Sequence, residues 1–236
     1  MESDAGRHRS VGALIFDLDG TLIDSGADIA AAANRVRRHF DLPELPTRIA
    51  IGYVGDGTAR LLERVLGHDL VTGRTGARGL PVSETRLAEG LAIFGEYYGR
   101  HCLDTTRLYP GVREVLVRFR DRPLMVATNK PAAFTGRILE GLRIAAAFRR
   151  VVSGDDVVRK KPHPEALERC LDGLTLDPAA VAVVGDSRVD IEAARALGAL
   201  AVGVTYGLTP AAAIRSAEPD LVIDRLADLA TLLRAP

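Results

Sequence analysis

Two aspartates separated by a single leucine, Asp17 and Asp19, follow directly on the apolar run Ala13, Leu14, Ile15, Phe16 and lead straight into Gly20 and Thr21. A short apolar run with β-branched and aromatic members reads as a buried strand of a parallel sheet, and Gly20 turns the chain at its end. Two carboxylates held together in a low-dielectric site repel each other. A divalent cation with oxygen ligands is the simplest offset. In open α/β sheets, ligands bind beyond the carboxyl ends of the strands. A calcium-binding helix-loop-helix motif also begins Asp-x-Asp, but it carries its glycine at the sixth position. Here Gly20 is the fourth residue counted from Asp17, and an apolar strand precedes the pair.

Other residues offer partners for this chemistry. Thr128 and Asn129 follow the apolar run Leu124, Met125, Val126, Ala127. A hydroxyl and an amide there can donate to phosphate oxygens or form an ordinary turn. Lys161 stands before Pro162, and a second proline, Pro164, follows His163. That context stiffens the backbone and holds a positive charge in place, for a phosphoryl group or for the Asp17 carboxylate, while Lys160 reads as solvated. His163 has no acid or nucleophile beside it in sequence and reads as a structural or capping residue. Asp186 ends the apolar run 181–184 through Gly185, and Asp190 follows four residues later. Both fit a site at a strand end. An N-capping and a first-turn aspartate of a helix, where the dipole favours acids, is the other reading, and it explains Asp190 well and Asp186 less well.

The elements that must bring these residues together alternate. After the first strand (11–16), the stretch 25–107 is helical, with amphipathic segments at 28–40, 58–66 and 87–98, and a Gly-, Arg- and Thr-rich loop at 67–81. From Tyr109-Pro110-Gly111 onward, helices at 112–120, 131–142, 164–171, 191–197, 210–216 and 226–233 alternate with strands at 124–127, 151–152, 181–184, 199–204 and 221–223. Such alternation implies a doubly wound parallel sheet of the Rossmann kind, which the first strand joins across the helical insertion. Residues 1–24 and 108–236 then form an α/β core, and 25–107 a helical cap inserted after the first strand.

The chain has 236 residues, 47% of them hydrophobic, with 31 basic and 31 acidic side chains. Balanced charge gives no electrostatic footprint for nucleic acid or an anionic membrane. The basic segment 35–39 reads as one solvated helix face. No apolar run approaches the ~20 residues that span a bilayer. The first ten residues are polar and read as a frayed tail, not a secretory signal. Cys102 and Cys170 form no metal or disulfide pattern. A cytoplasmic protein, monomeric or homodimeric, is the expectation.

The order Asp17-x-Asp19, Thr128, Lys161, Asp186, Asp190 resembles the four motifs of the haloacid-dehalogenase-like hydrolases, and the likeness runs through the chain from about Val11. The stretches GYVGDG from Gly52, LYPG from Leu108, ATNKP from Ala127, GDDV from Gly154 and GVTYG from Gly203 resemble members of that family that hydrolyse 2-phosphoglycolate. The stretch 73–79 departs from their compact cap. The resemblance implies a phosphatase in which Asp17 is the nucleophile and Asp19 the general acid and base. Mg²⁺ would sit on Asp17, the Asp19 carbonyl and Asp186, with Asp190 orienting that shell. Thr128, Asn129, Lys161 and Gly20 would hold phosphate, and the amides around Gly55 and Gly57 would approach a small carboxylate.

A sugar-phosphate phosphatase or a β-phosphoglucomutase-like mutase keeps every core motif. A dehalogenase has no need of an acid at Asp19. A phosphonatase wants a cap lysine, and 25–107 contains none. A phosphate-sensing module without turnover would be expected to lose one of Asp17, Asp19, Lys161 or Asp186, and all four are present.

Overall fold

The computed structural model describes residues 9–75 and 79–234. The chain begins with β1 (Arg9–Ser10), β2 (Ala13–Phe16) and β3 (Ile23–Asp24). Four helices follow: α1 (Gly26–His39), α2 (Thr47–Ile51), α3 (Thr58–Gly67) and α4 (Glu84–His101). β4 (Arg107–Leu108) returns antiparallel to β3, with Ile23 opposite Leu108. Then come α5 (Val112–Arg118), β5 (Leu124–Ala127), α6 (Ala132–Gly141), β6 (Arg150–Val152), α7 (Glu165–Leu171) and β7 (Val181–Gly185). The chain closes with α8 (Arg188–Leu197), β8 (Leu200–Val204), α9 (Ala211–Ser216), β9 (Leu221–Ile223), α10 (Leu229–Leu232) and β10 (Leu233–Arg234).

Six strands form one parallel sheet in the order β6-β5-β2-β7-β8-β9. Numbered along the sheet-forming strands alone, this is the 3-2-1-4-5-6 order of doubly wound nucleotide-binding folds, whose strand order reverses beside the first strand. β2 lies in the middle and is buried on both faces. Leu14 and Phe16 pack with one core and Ala13 and Ile15 with the other, which is why the sequence shows no polar alternation there. The strand ends of β5, β2 and β7 are therefore neighbours, and each is followed by a polar residue.

The helical insertion has its own core. Arg37, expected on a solvated face, is almost fully buried. Its guanidinium donates to the carbonyls of Pro43 (2.6 Å), His68 (3.2 Å) and Val65. It satisfies carbonyls at the C-terminal end of α3 that no further helical turn can reach. Arg38 and His39, also in that segment, remain exposed and pair with Glu44 and Glu89. Buried Asp28 at the start of α1 accepts the amides and hydroxyls of Thr105 and Thr106, so entry to and exit from the insertion are tied together. Burial pushes its carboxyl up, but those hydrogen bonds outweigh it and hold the group below its ordinary range.

Several boundaries differ from expectation. Arg9 and Ser10 are a strand, paired with Leu233 and Arg234; the rest of the polar tail, 1–8, lies outside the described residues. The last helix stops at Leu232 so that β10 can make this pairing, and Arg122 bonds the carbonyls of Val11 and Arg234 across it. Two polar residues carry no apolar signal, so a strand this short is invisible to periodicity. α8 begins at Arg188 and not at Ile191, because Ser187 and Asp190 form a reciprocal capping box. In the loop after α3, the Asp69 carboxylate closes a turn through the Val71 amide and the Thr72 hydroxyl; residues 76–78 of the 73–79 insertion lie outside the described residues. Among the described residues, no helix is long and apolar enough to cross a membrane.

Candidate active site

Asp17 leaves β2 with its amide bonded to the Val184 carbonyl (2.9 Å), and Thr128 leaves β5 with its amide on the Val152 carbonyl (3.0 Å). Asp186 follows β7. Sheet hydrogen bonding carried one residue past β2 and β5, and the end of β7 beside them, thus set the side chains at one edge of a cleft whose far wall is the helical insertion, including Val54, Gly55, Gly57, Leu61 and Tyr98.

Lys161 enters this edge from the loop before α7. Its ammonium donates to Asp17 Oδ1 (2.8 Å), Asp190 Oδ1 (2.6 Å) and the Ala127 carbonyl (2.7 Å), so its three protons are all committed. Burial opposes the charge, but Asp17 and Asp190 outweigh it and keep Lys161 protonated. The Asp17 carboxyl is pushed up to about 6, first by burial and then by Asp190, with Lys161 pulling the other way. Asp186 is raised well above the usual carboxylate range by burial and by Asp17 and Asp190, against the amides of Leu208 and Thr209. His163 accepts the Glu165 amide at the start of α7 through Nδ1 (3.1 Å), the capping contact expected of it.

Three clustered carboxylates, two of them bonded to one ammonium, leave negative charge uncompensated, and that donor set suits a divalent cation with oxygen ligands. Oxygens of Asp17, Asp186 and Asp190 lie within 4.8 Å of one another. Both Asp190 oxygens are already engaged: one meets Lys161, and the other accepts the amide (3.1 Å) and hydroxyl (2.5 Å) of Ser187. It positions Lys161 and the start of α8. Asp186 Oδ2 accepts the Leu208 and Thr209 amides. Asp17 Oδ2 and Asp186 Oδ1 accept no hydrogen bond among the described residues, which leaves these two side chains as the available ligands.

Two expected phosphate ligands have other work. The Gly20 amide donates to the Ile23 carbonyl (2.8 Å), so it is not free to bind an anion. Its lack of a side chain is what matters: φ is +83°, and a Cβ there would sit 2.1 Å from Asp186 Oδ2. The Asn129 side chain donates to the carbonyls of Gly55 (2.9 Å) and Lys161 (3.1 Å) and accepts the Lys161 amide (3.0 Å). It joins the insertion to the Lys161 loop, and only its main-chain N–H lacks an acceptor among the described residues. The Thr128 hydroxyl accepts the Lys130 amide (3.2 Å) and keeps its own proton to donate. Gly55 and Gly57 line the cleft, Gly57 as the residue before α3.

Asp19 holds a different set of partners. Lys130 donates to its Oδ1 (2.9 Å) and Oδ2 (3.0 Å), and Ser25 to its Oδ1 (2.5 Å). The same ammonium donates to the Tyr98 hydroxyl (2.8 Å) on α4. Neither Lys130 nor Ser25 was assigned a role by motif spacing. A compositional signal that could have drawn attention to Lys130 is that the chain has three lysines, Lys130, Lys160 and Lys161, against 28 arginines.

The haloacid dehalogenase-like hydrolase family profile matches residues 14–204. A phosphoglycolate phosphatase of Salmonella paratyphi A is 37% identical over 238 residues, covering 97% of this chain and 94% of that protein. The phosphoglycolate phosphatase of Escherichia coli K12 is 37% identical over 231 residues, 94% and 92% of the two chains. Among solved structures, a predicted phosphoglycolate phosphatase from Haemophilus somnus superposes with a TM-score of 0.83 at 30% identity, covering 94% of this chain and 97% of its own. With strand order, strand-end acids, Lys161 and these likenesses all in agreement, the chain belongs to the haloacid dehalogenase-like hydrolase family and is a phosphatase.

Proposed function

We propose that this phosphatase hydrolyses 2-phosphoglycolate to glycolate and phosphate through a covalent intermediate on Asp17. The observation that carries the chemistry is the unequal partnering of two neighbouring carboxylates. Asp17 faces Lys161 with one oxygen and keeps the other available, whereas Asp19 is engaged by Lys130 and Ser25. A carboxylate oxygen of Asp17 attacks phosphorus, the phosphorus–oxygen bond to glycolate breaks, and Asp19 gives its proton to the leaving oxygen. In the second step Asp19 takes a proton from water as that water attacks phosphorus. Asp17 is released, inorganic phosphate leaves, and Asp19 is protonated for the next turn. Thr128 Oγ1 and the Asn129 amide hold phosphate oxygens, while Lys161 keeps Asp17 charged. Residues 25–107 act as a cap on the core formed by 1–24 and 108–236, excluding water from the cleft. The N-terminus of α3 at Gly57, which has no side-chain cap, suits the substrate carboxylate.

Asp17, Asp186 and the main-chain carbonyl of Asp19 are the groups we assign to Mg²⁺. Bound there, it would neutralise charge on the transferring phosphoryl group. The raised carboxyls give this a test independent of turnover. Asp17 has a folded value of about 6 against 3.8 for the free group, so its contribution to stability is present below 3.8 and lost as pH rises through about 6. A cation restores what is lost. Mg²⁺ should therefore raise the thermal midpoint more at about pH 7.5 than at about pH 5. Equal shifts at both values, or none at the higher one, would count against a carboxylate-held cation.

The substrate is tested by phosphate release from 2-phosphoglycolate beside a panel of sugar phosphates. A Mg²⁺-dependent preference for 2-phosphoglycolate is expected. A flat or sugar-favouring profile would leave the chemistry standing and move the substrate to a larger phosphorylated metabolite.

A further inference from the structure

We infer that Lys130 and Tyr98 are positioning residues for the proton-carrying Asp19, and that the seating of α4 on the core sets that position. The inference rests on Asp19 acting as general acid and base.

Asp19 lies on the core, Lys130 follows β5 one residue beyond Asn129, and Tyr98 lies on α4 of the insertion. The three meet at one buried ammonium. Lys130 has three protons and three acceptors within hydrogen-bond distance: Asp19 Oδ1 (2.9 Å), Asp19 Oδ2 (3.0 Å) and Tyr98 Oη (2.8 Å). None is left for substrate, so Lys130 acts through Asp19. A carboxylate oxygen offers two lone-pair sites. Lys130 and Ser25 fill both sites of Oδ1, whereas Lys130 fills one of Oδ2. The remaining site, on Oδ2, is where a proton can be carried to the cleft that Asp19 lines. The clamp therefore selects which oxygen does acid-base work.

The far end of the clamp belongs to the insertion. The Tyr98 ring stacks on Phe94 (5.2 Å between centroids) and meets Phe134 of α6 edge-on (5.1 Å). Its hydroxyl is thus in place only when α4 packs against α6. The adjacent Asn129 makes a parallel link, from Gly55 of the insertion to Lys161. Two consecutive residues after Thr128 thereby connect the insertion to both charged partners of the aspartate pair. A lysine here is also a selective choice in a chain where 28 of 31 basic residues are arginine. A tetrahedral ammonium serves three converging acceptors, which a planar guanidinium does not.

The test uses leaving groups that need the proton to different degrees. Formation of the Asp17 intermediate is followed over the first turnover, by rapid acid quench in saturating Mg²⁺, for 2-phosphoglycolate and for 4-nitrophenyl phosphate. Lys130→Met should slow the alkyl substrate by about 100-fold and the nitrophenyl substrate by less than about tenfold, because a positioned general acid contributes roughly 10²–10⁴-fold. Tyr98→Phe keeps both ring contacts and should slow the alkyl substrate by about tenfold, with KM little changed. Equal losses on both substrates, or no loss in Tyr98→Phe together with an intact alkyl rate in Lys130→Met, would overturn the proposal. Asp19→Asn separates the two readings. If it shows the leaving-group-selective loss and Lys130→Met does not, only the clamp fails. If Asp19→Asn itself shows none, the acid role of Asp19 fails with it.

Discussion

Asp17→Asn is expected to lower phosphate release by about 10⁴-fold or more, because an amide cannot form the covalent intermediate and nothing nearby can replace it. Asp186 and Asp190 are close, but Asp190 spends both oxygens on Lys161 and Ser187, and Asp186 is fixed by the Leu208 and Thr209 amides. Asp19 is turned to Lys130 and Ser25. The variant should be no less stable than the parent near neutral pH. Its carboxyl is raised to about 6, chiefly by burial, so the charged form is a burden there and asparagine removes it. Activity and thermal midpoint measured together therefore separate a lost nucleophile from a lost fold. Residual turnover of more than about one per cent in a folded variant would show that another residue carries the phosphoryl group.

The parts of this site legible in the sequence are those that a strand end must present. Asp17, Thr128 and Asp186 each follow an apolar run, and three such runs in an alternating pattern fix both the sheet and the edge where they meet. What a motif cannot show is how each polar group spends its hydrogen bonds. Gly20 and Asn129 stand where phosphate ligands were expected, yet the Gly20 amide is used within its own turn and the Asn129 side chain by two backbone segments. Lys130 was hidden for a related reason. Its partners are 111 and 32 residues away, one of them inside a helical insertion whose packing no local pattern encodes. Arg37 shows the limit from the other side: a cluster of arginines on one helix looks solvated until α3 ends against it. The count of three lysines against 28 arginines is a global feature that could draw attention to Lys130 and Lys161, although the third lysine, Lys160, is exposed.

That geometry makes Lys161 the second position where a large loss is expected. Lys161→Met removes the ammonium that Asp17, Asp190 and the Ala127 carbonyl share, and leaves buried carboxylates with no cation of the protein's own. Breaking a buried pair from one side costs about 3–5 kcal/mol, since the partner charge stays behind. Loss of preorganised charge around the phosphoryl group should lower kcat by about 10³-fold. Lys161→Arg should rescue little, because its planar fork cannot meet three acceptors arranged as a tripod. The stability loss has a direction in pH. Lys161 is the group that pulls the Asp17 carboxyl down, so without it Asp17 rises further above 3.8 and is neutral over a wider acidic range. The deficit in thermal midpoint should be largest at alkaline pH and shrink as pH falls towards about 6, because the stranded carboxyl takes up its proton above that value. A deficit that stays constant over that range would mean that Lys161 stabilises by packing its stem and not by its charge.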